Sequence, residues 1–170
     1  MDVAEVFVDA FGRVGGSVRG ALDGLTEDEL VARVDEDANS ICWLIWHLSR
    51  VEDDHFAGVA DTEQVWIAGR WNERFGLPFD KDDTGYGHRS SDVAEVRAPA
   101  PLLLGYFDAV HDATISYVSS LSAQDLDRVV DRRWDPPVTL GVRIVSVIGD
   151  ALAHVGQAEF VRGVLLRRRT

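Results

Sequence analysis

Four separate stretches of this chain repeat apolar residues at intervals of three and four, and such a chain has one simple way to bury them, as helices around a shared core. The first stretch carries Val3, Val6, Phe7, Ala10, Val14, Val18, Ala21, Leu22 and Leu25, and the second Ile41, Leu44, Leu48 and Val51. The third starts near Pro101 and carries Leu103, Phe107, Val110, Ile115, Val118 and Leu121; the fourth carries Ile144, Val147, Ile148, Ala151, Val155, Ala158, Val161 and Leu165. The spacing predicts helices near residues 2–24, 39–59, 100–120 and 139–166, an all-α four-helix bundle in a single domain over residues 1–170. A chain of 170 residues can bury roughly 70% of the surface its unfolded form exposes, enough for one core. The ends are marked as well. Asn39 or Ser40 can cap the second helix and Thr139 the fourth, while Pro101 fits a first turn, where its missing N–H costs nothing.

A weak internal repeat organises the four. Leu25 to Asp35 (LTEDELVARVD) is echoed by Leu121 to Asp131 (LSAQDLDRVVD), each between two long amphipathic segments. Thr26 with Glu29 reads as a capping box, and Ser122 with Asp125 as its looser counterpart. Two helical hairpins are therefore expected, and matching them through these linkers sets His47 opposite Asp150, on helices that meet at the centre.

Asp150 and His154 are four residues apart, so their side chains project in nearly the same direction, at or near the apolar stripe of the fourth helix. His47 falls between Leu44 and Val51 on the stripe of the second. A carboxylate and two imidazoles pointing into one interior make an open three-ligand set, suited to zinc or another divalent first-row metal. The alternative is a buried polar network, His154 hydrogen-bonded to Asp150 with no metal, and spacing alone does not separate the two.

Residues 60–98 show no clear period, yet hold Trp66, Trp71, Phe75, Phe79 and Tyr86. So many large apolar groups predict an ordered connection rather than a solvated linker. It either folds over the mouth of the bundle as a pocket wall above the three ligands or seals the bundle end. Trp71, Tyr86 and His88 are candidate pocket residues, with His88 able to serve as an acid/base or fourth ligand. Gln157, one turn past His154, is a candidate hydrogen-bond partner behind a ligand.

Three segments, WLIWHLSRVEDDHF (Trp43 to Phe56), VWIAGRWNERFGLPF with DDTGYGH (Val65 to His88), and DALAHVGQAEFVRG (Asp150 to Gly163), carry a resemblance. The chain resembles the DinB-like superfamily over nearly its whole length, and within it the mycothiol-associated, actinobacterial branch that includes the metal-binding domain of mycothiol-dependent maleylpyruvate isomerase. The resemblance implies a four-helix bundle of DinB-like type with a long connection between the second and third long helices. It implies one divalent metal, zinc first and nickel or another first-row metal as alternatives, with His47, Asp150 and His154 at the ligand positions. At the position of Asp150 the commonest residue is His, or Glu in the isomerase; aspartate is one methylene shorter than glutamate. Implied partners are a small-molecule thiol, mycothiol as cosubstrate, and an electrophile, in an S-transfer or isomerisation. The isomerase's additional C-terminal domain has no counterpart here.

Composition excludes other classes. The net charge of −12, from 29 acidic against 17 basic residues, gives phosphates no clustered cationic surface, so no nucleic-acid partner is expected. Arg167 to Arg169 read as a solvated helix end. One cysteine forms no internal disulfide, MDVAEVF lacks the features of a signal peptide, and no apolar run approaches the ~20 residues of a membrane span. The expectation is a cytoplasmic protein without a membrane partner. Cys42 lies five residues from His47 and reads as packing. Apolar residues left on the outer faces, with the resemblance, lead us to expect a homodimer formed through helix faces. A non-catalytic bundle that binds a metal or small ligand, or only dimerises, stays open beside the enzyme.

Overall fold

The computed structural model describes residues 1–169. In chain order its helices are α1 (Val3–Leu22), α2 (Glu27–Val31), α3 (Ile41–Ala60), α4 (Val65–Ala68), α5 (Trp71–Phe75), α6 (Ser90–Glu95), α7 (Ala100–Ser119) and α8 (Leu140–Arg168). The four long ones match the amphipathic stretches within two or three residues. Their starts follow local chemistry. Ser40 Oγ accepts the Trp43 N–H at 3.1 Å, and Thr139 Oγ1 accepts that of Val142 at 3.4 Å. Asp2 and Glu5 exchange hydrogen bonds of 2.8 and 2.9 Å at the head of α1. Both repeated linkers carry their capping pairs, Thr26 with Glu29 and Ser122 with Asp125.

The polarity of the helices follows from which ends pack together. Phe7 and Phe11 at the start of α1 meet Phe56 at the end of α3, Val118 at the end of α7, and Ile144 and Val147 at the start of α8. At the opposite end Leu22, Ile41, Leu103 and Leu165 share the second cluster. So α1 and α8 run one way and α3 and α7 the other. The neighbours are α1 with α7 and α8, and α3 with α7 and α8, while α1 and α3 meet only marginally. The two expected hairpins are thus a correction. Helices joined through the repeated linkers lie across the bundle's diagonals, because each helix buries more of its stripe against the helices of the other half. The placement of the second and fourth long helices side by side does hold, as α3 against α8.

Because α3 and α7 are parallel, the chain between them must travel back along the bundle, about 30 Å for a 20-residue helix. That is the long connection, and it is pinned rather than draped. The Asp53 carboxylate, from α3, accepts the N–H groups of Val65 and Trp66 at 2.8 Å each, supplying α4 with its missing N-terminal acceptor, and also accepts the Tyr106 hydroxyl at 2.8 Å. Arg50, fully buried, donates to Gln64 Oε1 at 2.9 Å, to the Asp83 carbonyl at 3.1 Å and to Tyr106 Oη at 3.3 Å, and lies over Trp66. The Arg50–Asp53 separation is 3.6 Å. Trp66, Trp71 and Phe75 close around the Tyr106 ring on the inner side of this strap.

Two further features lay outside what periodicity could reveal. A two-stranded hairpin, β1 (Val129–Asp131) with β2 (Val138–Thr139), leads into α8, and strands this short carry no alternation to read. Between the two apolar clusters, Glu52 of α3 and Thr114 of α7 are both fully buried. By length and composition alone α8 is long and apolar enough to cross a membrane, contrary to the expectation of no such stretch. The physical reason is that it is apolar on two sides. One stripe (Ile144, Val147, Ala151, Val155) is buried in the bundle, and Val142, Val145 and Leu152 are exposed on another.

Candidate metal centre

α3 and α8 face each other where His47 meets Asp150 and His154. One donor atom from each of the three lies within 4.8 Å of the other two. The imidazoles of His47 and His154 are edge to face with centroids 4.7 Å apart, and Trp43 stacks flat on His47 at 4.5 Å. The centre is thus assembled by one turn of α3, Trp43 to His47, and one turn of α8, Asp150 to His154.

Each side chain is held from behind. His47 Nδ1 is 2.5 Å from the Thr84 carbonyl. A carbonyl only accepts, so Nδ1 carries the proton and Nε2 turns its lone pair towards the centre, the tautomer a metal needs. The 83–88 turn is shaped for this contact. Asp83 accepts the Gly85 N–H at 2.7 Å, and Gly85 has a φ of +89°, with a Cβ there falling 2.9 Å from both His47 Nδ1 and Trp46. Burial pushes the His47 pKa down, with the Thr84 carbonyl pulling partly back and His154 adding to the fall, so the ring is neutral at pH 7. Burial would raise the Asp150 pKa, but the contact with His154 carries it below the usual carboxylate range.

A divalent metal fits this donor set on two observations. Asp150 Oδ1 and His154 Nε2 are 3.5 Å apart, too long for a strong charge-assisted hydrogen bond. Meanwhile Asp150 Oδ2 and His154 Nδ1 are buried with no protein partner. A closed Asp–His pair would not leave acceptors over. Tetrahedral ligation with bonds near 2.1 Å sets donors about 3.4 Å apart, so the widest pair must draw in by about 1.4 Å, within the reach of small χ rotations.

The remaining candidates are placed as follows. His88 packs beside the centre, on Trp46 and Phe79. Its Nδ1 accepts from Trp43 Nε1 at 3.1 Å, so Nε2 carries the proton and donates to Asp83 at 3.1 Å. With both ring nitrogens engaged it orients Trp43 and has no lone pair free to ligate. Gln157 is exposed and makes no hydrogen bond to His154; it lines a groove one turn further along α8. Trp71 is a core side chain against Tyr106, capped by Arg74 at 3.7 Å, and is not brought to the three ligands. Tyr86 is 92% exposed and so forms no buried wall beside them. Arg50 and Asp53 carried no sequence signal of their own, since α3 is buried on nearly every side and its polar positions cannot be ranked by periodicity; Thr84 acts through its backbone carbonyl, which no residue type encodes. Burial pushes the Cys42 thiol up to about 12, which leaves it inert.

The model of the family described as mycothiol-S-transferase matches residues 7–166. Among solved structures, a crystal structure of a conserved protein from Enterococcus faecalis is similar over 95% of this chain and 96% of that one, at 30% identity and a TM-score of 0.89. No curated protein matches the chain.

Proposed function

The chain belongs to the mycothiol-S-transferase family, a DinB-like family, and from that premise we propose that it is a metal-dependent enzyme joining a low-molecular-weight thiol, mycothiol first, to an electrophile. The observation that carries the metal is the pair of buried, unpartnered atoms, Asp150 Oδ2 and His154 Nδ1, in a cluster whose third member offers a free Nε2. His47, Asp150 and His154 would hold the ion, zinc before nickel or another first-row metal given two imidazoles and one carboxylate. A bound divalent ion supplies Lewis acidity that keeps a thiol as thiolate at neutral pH.

The protein's own contribution is positional. Thr84 fixes the His47 tautomer, Trp43 stacked on that ring walls one side of the centre, and the 83–88 turn excludes water from behind it. Three protein donors would leave the ion a position for water or thiol, and His154 is partly exposed. In S-transfer the thiol sulfur forms a bond to an electrophilic carbon as the leaving group departs from that carbon, and the thiol proton is released.

The test is metal analysis of the purified protein followed by thiol conjugation to monobromobimane. We expect one divalent ion per chain and faster conjugation of mycothiol, lost on chelation and restored by zinc. Metal-free protein with unchanged melting and no rate above buffer would overturn the reading in favour of a non-catalytic bundle.

A further inference from the structure

Where the β1–β2 hairpin meets α3 and α8, Asp54, His55 and Val59 of α3, Arg143 of α8 and the segment from Val130 to Arg133 enclose a cleft of about 380 Å³. That volume lies within the range of small-molecule sites, roughly 300–1,000 Å³. His55 follows His47 by about two turns, and Arg143 precedes Asp150 by about two turns, so the cleft stands about 11 Å along the helices from the three proposed ligands. It shares no residue with them.

The charge of the cleft is the reverse of the chain's. The protein carries −12 overall, yet residues 128–143 hold four arginines against two aspartates. Three of those arginines, Arg132, Arg133 and Arg143, line the cleft. At physiological salt, exposed charges more than about 8 Å away are largely screened, so these nearby groups set the local potential. The buried Asp131 carboxylate braces two of the guanidiniums. It accepts Arg133 Nε and Nη2 at 3.0 and 2.8 Å and Arg143 Nη2 at 3.2 Å. A guanidinium has five N–H donors, so both keep donors unengaged. Arg143 Nη1 lies 3.4 Å from His55 Nε2. Burial and the Arg143 charge push the His55 pKa down, so the imidazole is neutral and takes the accepting role. Asp54, the other carboxylate of the lining, is engaged by Gln64 Nε2 at 2.8 Å. Arg132 is exposed and makes no hydrogen bond or ion pair among the described residues.

Two braced guanidiniums and a third without a partner present forked donors suited to an anion with three terminal oxygens. A carboxylate brings only two. Val59 and Val130 beside them offer an apolar surface to a short carbon body. We propose that this cleft binds a small phosphate monoester, its phosphoryl oxygens received by Arg132, Arg133 and Arg143 and its organic part lying on Val59 and Val130. The site depends neither on the metal nor on the thiol reading above. It holds a single phosphate group, so the acidic surface around it still disfavours a nucleic-acid strand.

The experiment is calorimetric titration of the full chain with phenyl phosphate at pH 8, where the monoester is a dianion because its second pKa is about 6. Zinc-loaded and chelator-treated protein are compared in physiological salt. One molecule should bind per chain with a dissociation constant of about 1 mM or below, equally in both forms. Arg132→Ala leaves the Asp131 brace intact and should weaken binding fivefold or more, with circular dichroism confirming the fold. Arg13→Ala removes an equal charge from an Arg13–Asp9 pair on α1 and should change binding less than twofold. Glutarate should bind at least fivefold more weakly than phenyl phosphate. No binding by wild type, or unchanged binding in Arg132→Ala, overturns the site. Equal losses in Arg132→Ala and Arg13→Ala overturn it as general charge attraction. Binding that requires zinc puts the phosphate on the metal and overturns the cleft, whereas glutarate binding as tight as phenyl phosphate overturns the phosphate assignment. None of these outcomes touches the conjugation of mycothiol to bimane, so the two readings fail separately.

Discussion

At neutral pH Glu52 stands between its two charge states, because the burial that leaves both its oxygens without partners pushes its pKa up to about 7. The Thr114 hydroxyl opposes part of that rise without closing a hydrogen bond of good geometry, so the carboxyl is effectively unpaired. The folded pKa is above the ordinary value of 4.5, so the unfolded chain releases this proton first as pH rises. Stability from this group is therefore full below about 4.5, declines between 4.5 and 7, and stays low above, a swing of at most about 3 kcal/mol. Glu52→Gln should accordingly raise the urea midpoint at pH 8 and change it little at pH 4.5; an equal effect at both pH values would show that the carboxyl is paired after all. His154→Ala addresses the centre instead. It should reduce bound metal from one ion per chain to near none while the far-UV circular dichroism keeps its helical signal, because the stripes and not the ion hold the bundle. A variant that retains full metal stoichiometry would remove His154 from the ligands, and collapse of the helices would make the site structural. These residues differ in how legible they were. Asp150 and His154 share a recognisable i, i+4 spacing on a helix with a clear face, whereas Glu52 and Arg50 lie on a helix buried nearly all round, where a polar position gives no hint of its neighbours.

Helix ends were readable because capping is local chemistry. Ser40, Thr139 and the Thr26–Glu29 pair act within three residues of themselves, and α3, α8 and the short α2 begin where those side chains say. The 61–99 connection was legible only as ordered. Its three short helices are set by long-range partners, Asp53 for α4 and Arg50 for the Gln64 and Asp83 anchor points, and no local pattern encodes those. Arg50→Met leaves the Asp53 carboxylate buried without its cation and should cost about 3–5 kcal/mol. Amide exchange should accelerate in residues 61–89 well before it does in α1, and uniform acceleration would mean that the strap has no independent stability. The 83–88 turn makes a narrower point. Gly85→Ala places a methyl against His47 Nδ1 and Trp46 at a positive φ, so the turn must lift off the ring it orients. The expected outcome is weaker metal binding, by tenfold or more in a chelator competition, with the thermal midpoint falling by only a few degrees. Unchanged affinity would show that the Thr84 contact does not position His47.

Up-down-down-up order is a property of the whole molecule, and here the repeat in the sequence misleads. Similar linkers suggest similar hairpins, yet the choice of neighbours is made by which stripes fit together, and that sum is not visible in any one segment. What the sequence does carry to this scale is the second apolar face of α8. Val142, Val145 and Leu152 are 57%, 63% and 46% exposed, three or seven residues apart, with Gly149 between the last two giving a partner close approach. Phe160, 66% exposed and five helical turns after Val142, continues the same face of α8. A stable pair of chains buries about 800 Å² on each side, so the flanks of α8 must contribute beside these side chains. The homodimer we propose is therefore formed across α8, related by a twofold axis so that the same face serves both partners. Multi-angle light scattering should give twice the mass of the chain, and Val145→Glu should return it to one while the metal content holds at one ion per chain. A wild-type chain that remains monomeric at high concentration refutes the dimer outright. A Val145→Glu variant that stays dimeric keeps the dimer but moves its interface off α8.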